Sequence, residues 1–242
     1  MKYEMQIQMQ AAQMQMQMPA IYIICHPEYE PIRYQLLLKQ LEKVKIPFNT
    51  VQWIRGPWGN EVDSLYFNVY DPFNKRLGLD KALSFKSACL LKGEVSLCVR
   101  FHLAVKKALE DGADTVIFFE SDAVLREDFS QRLRDILSSD KPWDYISLGE
   151  GVGTRPSQAK SYFSKSQLYT PPHQFVFRCT DSMVFRRSFL EKLSQTLIPF
   201  RECLDWELNV QMLAHKGVPM WADPPLVEPG SGRSRTMTLL PS

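Results

Sequence analysis

Thr115-Val116-Ile117-Phe118-Phe119-Glu120-Ser121-Asp122 is an apolar run that ends abruptly in two carboxylates. Its β-branched and aromatic residues predict a buried strand over 115–119. Side chains alternate faces along a strand, so Glu120 and Asp122 are expected on one side and Ser121 on the other. Two carboxylates side by side at the end of a buried strand repel each other unless a positive charge sits between them. Mg²⁺ or Mn²⁺ fits that need, since such hard ions prefer oxygen and bind through one or two carboxylates plus substrate phosphates. The same two residues also read as loop acids, with Asp122 capping a following helix. The surrounding sequence has to decide.

Upstream, Gly93 to Leu109 reads as a helix, and Glu110-Asp111-Gly112-Ala113-Asp114 as the turn leading into the strand. A further helix is expected after the acids. This order resembles glycosyltransferase family 25, the lipooligosaccharide and procollagen galactosyltransferase-like enzymes. Their pattern here is Gly-Glu-Ile-Gly-Cys-Ala-Leu-Ser-His, a helix ending in Ala-Leu, then a strand ending Leu-Glu-Asp-Asp-Ala. Gly93-Glu94-Val95 and Ala108-Leu109 fall at matching spacing, and Phe119-Glu120-Ser121-Asp122-Ala123 stands in the place of the acidic motif. Ala20 to Ile24, a helix, and Phe48 to Gly56 are similar to the family's opening strand–helix–strand. Trp143 to Gly149, Leu204-Asp205-Trp206-Glu207-Leu208 and Pro224 to Ser231 resemble its later elements, so the resemblance covers nearly all of the chain after residue 19.

Three departures stand out. Ser121 replaces the middle acid of the family's triplet. The family's Ser-His falls on Arg100-Phe101, with His102 displaced by one position, about 100° of helix rotation. Cys25-His26-Pro27 replaces Asn-Leu-Asp after the first strand.

The resemblance implies an α/β, GT-A-type Rossmann-like domain with a mixed, mostly parallel central sheet flanked by helices. Residues 1–19 would be a disordered Met/Gln-rich leader, 20–125 a nucleotide-sugar-binding half and 126–242 an acceptor-binding half. It further implies Mn²⁺ or Mg²⁺ on Glu120 and Asp122, a UDP-hexose donor carrying galactose or glucose, and a glycan or glycoprotein acceptor. Donor contacts are expected from Cys25, His26, Arg55, Glu94, Ser121 and Arg233. Arg233 and Arg235, in a tail rich in Gly and Ser, read either as a clamp on the diphosphate or as solvated ends. Transfer with inversion needs a general base on the acceptor hydroxyl, and Asp205, Glu207 and Asp181 are the candidates. Asp205 and Glu207 lie about 200° apart on one helix, so they cannot share a cleft. Asp205 is preferred, although it also reads as an N-cap; Asp181 comes second.

Composition sets bounds. At 242 residues and 45% hydrophobic content the chain suits one α/β domain with a full core. A net charge of +2, with 29 basic and 27 acidic residues interspersed, argues against nucleic-acid binding. The five cysteines are scattered without Cys-x-x-Cys, as expected of reduced core thiols. No apolar stretch approaches the roughly 18 residues of a membrane span. Met1 to Met18 lacks the order of a secretory signal, so a cytoplasmic location is expected. Tyr29 to Lys45 carries apolar residues at helical spacing between two strands, which predicts a crossover helix and parallel strands. The aromatic-rich residues 57–92 read either as part of an acceptor-sugar groove or as a packed insertion. Gly149-x-Gly151-x-Gly153 precedes Pro156 rather than a helix, so it reads as a loop and not a dinucleotide fingerprint. Strand or hairpin is expected over 174–186, and helices over Phe189–Leu197 and Asp205–His215. Two other readings remain: a catalytically inactive sugar- or partner-binding module, which Ser121 keeps open, and a nucleotidyltransferase. The second is disfavoured because no glycine- and basic-rich triphosphate loop follows the first strand.

Overall fold

A computed structural model describes residues 18–71, 90–149, 167–171, 177 and 179–230 of the chain. Strand β1 (Ala20–Ile24) leads to helix α1 (Pro31–Lys43), whose first residue is a proline, a position where the missing N–H has no intrahelical partner to lose. Strand β2 (Val51–Ile54) follows, then the one-turn helix α2 (Tyr66–Val69) and the long helix α3 (Lys92–Glu110). Gly112, at φ +73°, takes the left-handed conformation that ends α3 and turns the chain into β3 (Thr115–Glu120). Next come β4 (Ala123–Leu125), α4 (Phe129–Leu137), β5 (Tyr145–Ser147), β6 (Gln167–Tyr169) and β7 (Ser182–Arg186). Helices α5 (Arg187–Thr196) and α6 (Leu204–Ala214) and strands β8 (Pro219–Asp223) and β9 (Val227–Pro229) complete the order.

The main sheet runs β2-β1-β3-β7-β5-β8-β6. Strands β2, β1, β3, β5 and β8 point one way, while β7 and β6 run against them. This is the mixed, mostly parallel sheet flanked by helices that the sequence led us to expect. A second, two-stranded sheet pairs β4 with β9. Strand β3 is apolar from Val116 to Phe119 because both of its faces are covered there. Val116 and Phe118 pack with Val95, Phe101 and Val105 of α3, whereas Ile117 and Phe119 pack with Leu37 and Leu41 of α1 and Phe129 of α4.

Several expectations shift. β3 ends at Glu120, and Ser121-Asp122 form a turn, so strand alternation does not extend to Asp122. The acids lead into β4 before α4, because Ala123-Val124-Leu125 finds a partner about a hundred residues later that local sequence cannot reveal. Helix α6 starts at Leu204 with Cys203 in the cap position, which places Asp205 inside the first turn rather than at the cap. β8 has no β-branched residue and opens on Pro219; its place between β5 and β6 comes from tertiary pairing. Arg233, Arg235, the 1–17 leader and Gly151-x-Gly153 lie outside the described residues. No helix among the described residues is long and apolar enough to cross a membrane.

Candidate active site

Glu120 closes β3 opposite Ile24, the last residue of β1, so the acids stand at the carboxyl ends of neighbouring parallel strands. That edge of a parallel α/β sheet is where ligands generally bind. Strand β7 runs antiparallel to β3, so its beginning lies beside the end of β3, with Ser182 opposite Phe119. Thr180 and Asp181 are thereby delivered to Glu120. The Glu120 N–H donates to the Asp181 carbonyl at 3.0 Å, and the Thr180 hydroxyl donates to Glu120 Oε1. Asp122 and Asp181 are 8% and 5% exposed, and the Asp122 carbonyl accepts the Gly230 N–H at 2.8 Å.

Glu120 keeps a little open surface, but its carboxyl group is enclosed. Burial, followed by the charge of Asp122, pushes it up to about 8; Asp181 adds to the rise, while the Thr180 hydrogen bond and Arg100 oppose it. The charges of Asp122 and Asp181 therefore both bear on Glu120. Gly149, at the end of β5, makes room for this. A Cβ there would lie 2.5 Å from Asp181 Oδ2 and 2.7 Å from Oδ1.

Ser121 faces the other way, toward α1. Its hydroxyl donates to Glu30 Oε1 at 2.6 Å and accepts from Arg33 Nη1 at 3.0 Å. Glu30 Oε2 accepts the His26 N–H at 3.1 Å and lies 3.8 Å from Arg100 Nη1. The Arg100 guanidinium stands 4.5 Å over the Trp58 ring. Trp58 in turn stacks on the exposed Tyr29 at 5.6 Å and 9°, with the His26 ring 4.3 Å from Tyr29. Glu30, Arg33, Arg100 and Thr180 were not anticipated. A local signal existed for Arg100, a charge on an otherwise apolar stretch of α3; the others are defined only by contacts distant in sequence.

The remaining expected residues take varied positions. Cys25 is fully buried, and its thiol is pushed up to about 12 by burial and by Glu30. The His26 ring nitrogen Nδ1 accepts from the Glu28 and Tyr29 N–H groups. Arg55 is exposed just past β2. Glu94 accepts the Leu91 N–H at 2.8 Å at the start of α3. Asp205 Oδ1 accepts from the Trp206 N–H at 3.0 Å and the Cys203 thiol at 3.1 Å. Its charge bears on Cys98 of α3. Glu207 is fully buried and accepts from the Arg201 N–H and the Gln211 amide, which anchors the helix. In the 57–92 region, Tyr70 is buried against Phe200 and the Tyr66 hydroxyl donates to the Leu90 carbonyl. A cavity of about 940 Å³ lies at the opposite edge of the sheet, beside Tyr22 and Asp111. Two of its lining groups, the Tyr22 hydroxyl and Asp111, are hydrogen-bonded to each other at 2.7 Å, and Asp111 also pairs with Lys107.

As a cation site, the acid end offers hard oxygen donors whose mutual repulsion a divalent ion would relieve. Among the described residues no three His, Cys, Asp or Glu side chains form a complete metal-binding group. Phosphate oxygens from a substrate would have to complete the shell, as is usual for Mg²⁺.

No protein-family model and no curated protein sequence matches the chain. Among solved structures, A197 from STIV is similar at 14% identity over 86% of this chain and 81% of that one, with a TM-score of 0.39. A glycosyltransferase involved in the glycosylation of the major capsid of PBCV-1 is similar at 11% identity over 91% of this chain and 97% of that one, with a TM-score of 0.45.

Proposed function

We propose that the chain is a metal-dependent, inverting glycosyltransferase that moves a hexose from a UDP-sugar to a hydroxyl of a glycan or glycoprotein. The observation that carries this reading is the gathering of Glu120, Asp122 and Asp181 at the carboxyl end of β3, where burial and then the charges of the other two acids raise the proton affinity of Glu120. A divalent cation on Glu120 and Asp122 would neutralise the departing diphosphate.

The chain's own residues supply the rest. Direct displacement requires the base across from the leaving group. Asp181 acts on Glu120 and so belongs to the diphosphate side. Asp205 stands half-buried in the first turn of α6, and we assign it to take the proton from the acceptor hydroxyl. Its contacts with the Trp206 N–H and the Cys203 thiol hold the carboxylate in place. The aromatic faces of His26, Tyr29 and Trp58 border the same edge and suit a flat base or a sugar ring.

The test is UDP release from a panel of UDP-hexoses with Mn²⁺, with and without chelator. Chelation, Glu120→Gln and Asp122→Asn are each expected to abolish release, and Asp205→Asn to lower it by about two orders of magnitude. Release that survives chelation and both acid substitutions contradicts the reading. A second reading, a sugar-binding module without turnover, draws on Ser121, which Glu30 and Arg33 hold away from the acids. It predicts donor binding without release across the panel.

A further inference from the structure

We infer that Arg100 of α3 is a binding residue for the donor's diphosphate, reading two of its oxygens with the guanidinium fork. The inference rests on the nucleotide-sugar reading above and assigns a residue of that site. Arg100 is 7% exposed, and neither its Nε nor its Nη1 donates a hydrogen bond among the described residues. Buried guanidinium groups are ordinarily paired and hydrogen-bonded, because an unmet N–H in a low-dielectric interior is costly. The nearest carboxylate oxygen, Glu30 Oε2, is 3.8 Å from Nη1, an ion pair beyond hydrogen-bond reach. Trp58 covers one face of the guanidinium at 4.5 Å, and Nε and Nη1 on its edge are buried.

The placement identifies the acceptor. Through Glu30, Arg100 is linked to Ser121, the residue between the two acids. It is near enough to Glu120 for each charge to act on the other. Glu120 Oε1 is already engaged by the Thr180 hydroxyl. A planar fork of donors matches paired phosphate oxygens bidentately. An anion delivered beside the acids would satisfy it without disturbing the Glu30 hub. Arg100 would thus provide a fixed positive charge on the diphosphate, independent of the cation.

The experiment compares UDP with uridine, titrated calorimetrically into the full chain in saturating Mg²⁺. Arg100→Gln is expected to weaken UDP about tenfold and leave uridine unchanged. Arg100→Lys keeps the charge but loses the fork, and is expected to weaken UDP severalfold. UDP affinity equal to wild type in Arg100→Gln, or in Arg100→Lys should the first variant not fold, overturns the inference while leaving the transferase reading intact. Equal weakening of UDP and uridine also overturns it, since the loss would then not lie with the phosphates. A wild-type chain that binds neither compound overturns both.

Discussion

At the scale of single residues, Ser121 and Glu30 form a matched pair. Ser121 is 8% exposed and its hydroxyl donates to Glu30 Oε1 at 2.6 Å, so a carboxylate at 121 would crowd a second carboxylate, with Arg33 the cation both would share. Ser121→Asp is expected to destabilise the fold by about 2–4 kcal/mol. Glu30→Gln in the same chain should restore a good part of that loss, which a urea-unfolding double-mutant cycle measures. Additive effects would contradict the pairing. Glu120 sets a second test at this scale. Its folded proton affinity, at about 8, is raised above the ordinary 4.5. Below pH 4.5 both folded and unfolded chains hold this proton. Between 4.5 and 8 only the folded chain keeps it, so stability falls as pH rises through that window. In metal-free buffer, Glu120→Gln should remove that part of the slope and exceed wild type at pH 8 by a few kcal/mol in chemical denaturation. Parallel pH profiles for the two proteins would refute the assignment.

Elements bring these residues together, and they differ in how far sequence reveals them. Strands β1 and β3 were legible because both faces of each are covered, giving unbroken apolar runs at Ile21–Ile24 and Val116–Phe119. The crossover helix α1 and the parallel pairing of β1 with β2 followed from apolar spacing between strands. Strands β4, β6 and β9 have three residues each and depend on partners remote in sequence, so no local period announces them. The acids were legible only as the abrupt end of that run, since strand alternation stops at Glu120. The Glu30–Arg33–Arg100 network was not, since Glu30 and Ser121 are separated by 91 positions. The reversed strand β7 has its own consequence. It carries Asp181 to Glu120, and the end of β5 can pass only because Gly149 has no side chain. Gly149→Ala would place a methyl group 2.5 Å from Asp181 Oδ2 and 2.9 Å from Ser182 Oγ. It is expected to cost about 1–3 kcal/mol and to reduce UDP release, measured by thermal unfolding and by initial rates. Unchanged stability and rate would show that Asp181 moves freely and plays no part in the site.

Across the whole molecule, charge is nearly balanced overall but sharply divided at one sheet edge. Glu120, Asp122 and Asp181 gather on one side of the turn after β3, while Arg33 and Arg100 gather with Glu30 on the other. The proposed nucleoside diphosphate and its cation would lie between these two signs. The measurement that tests this most directly is a calorimetric titration of Mn²⁺ into the chain in the presence and absence of UDP. Mn²⁺ should bind tightly only when UDP is present, and that binding should disappear in both Glu120→Gln and Asp122→Asn. Tight, UDP-dependent Mn²⁺ binding that persists in either variant would contradict the shared grip of Glu120 and Asp122 on a diphosphate-bound ion.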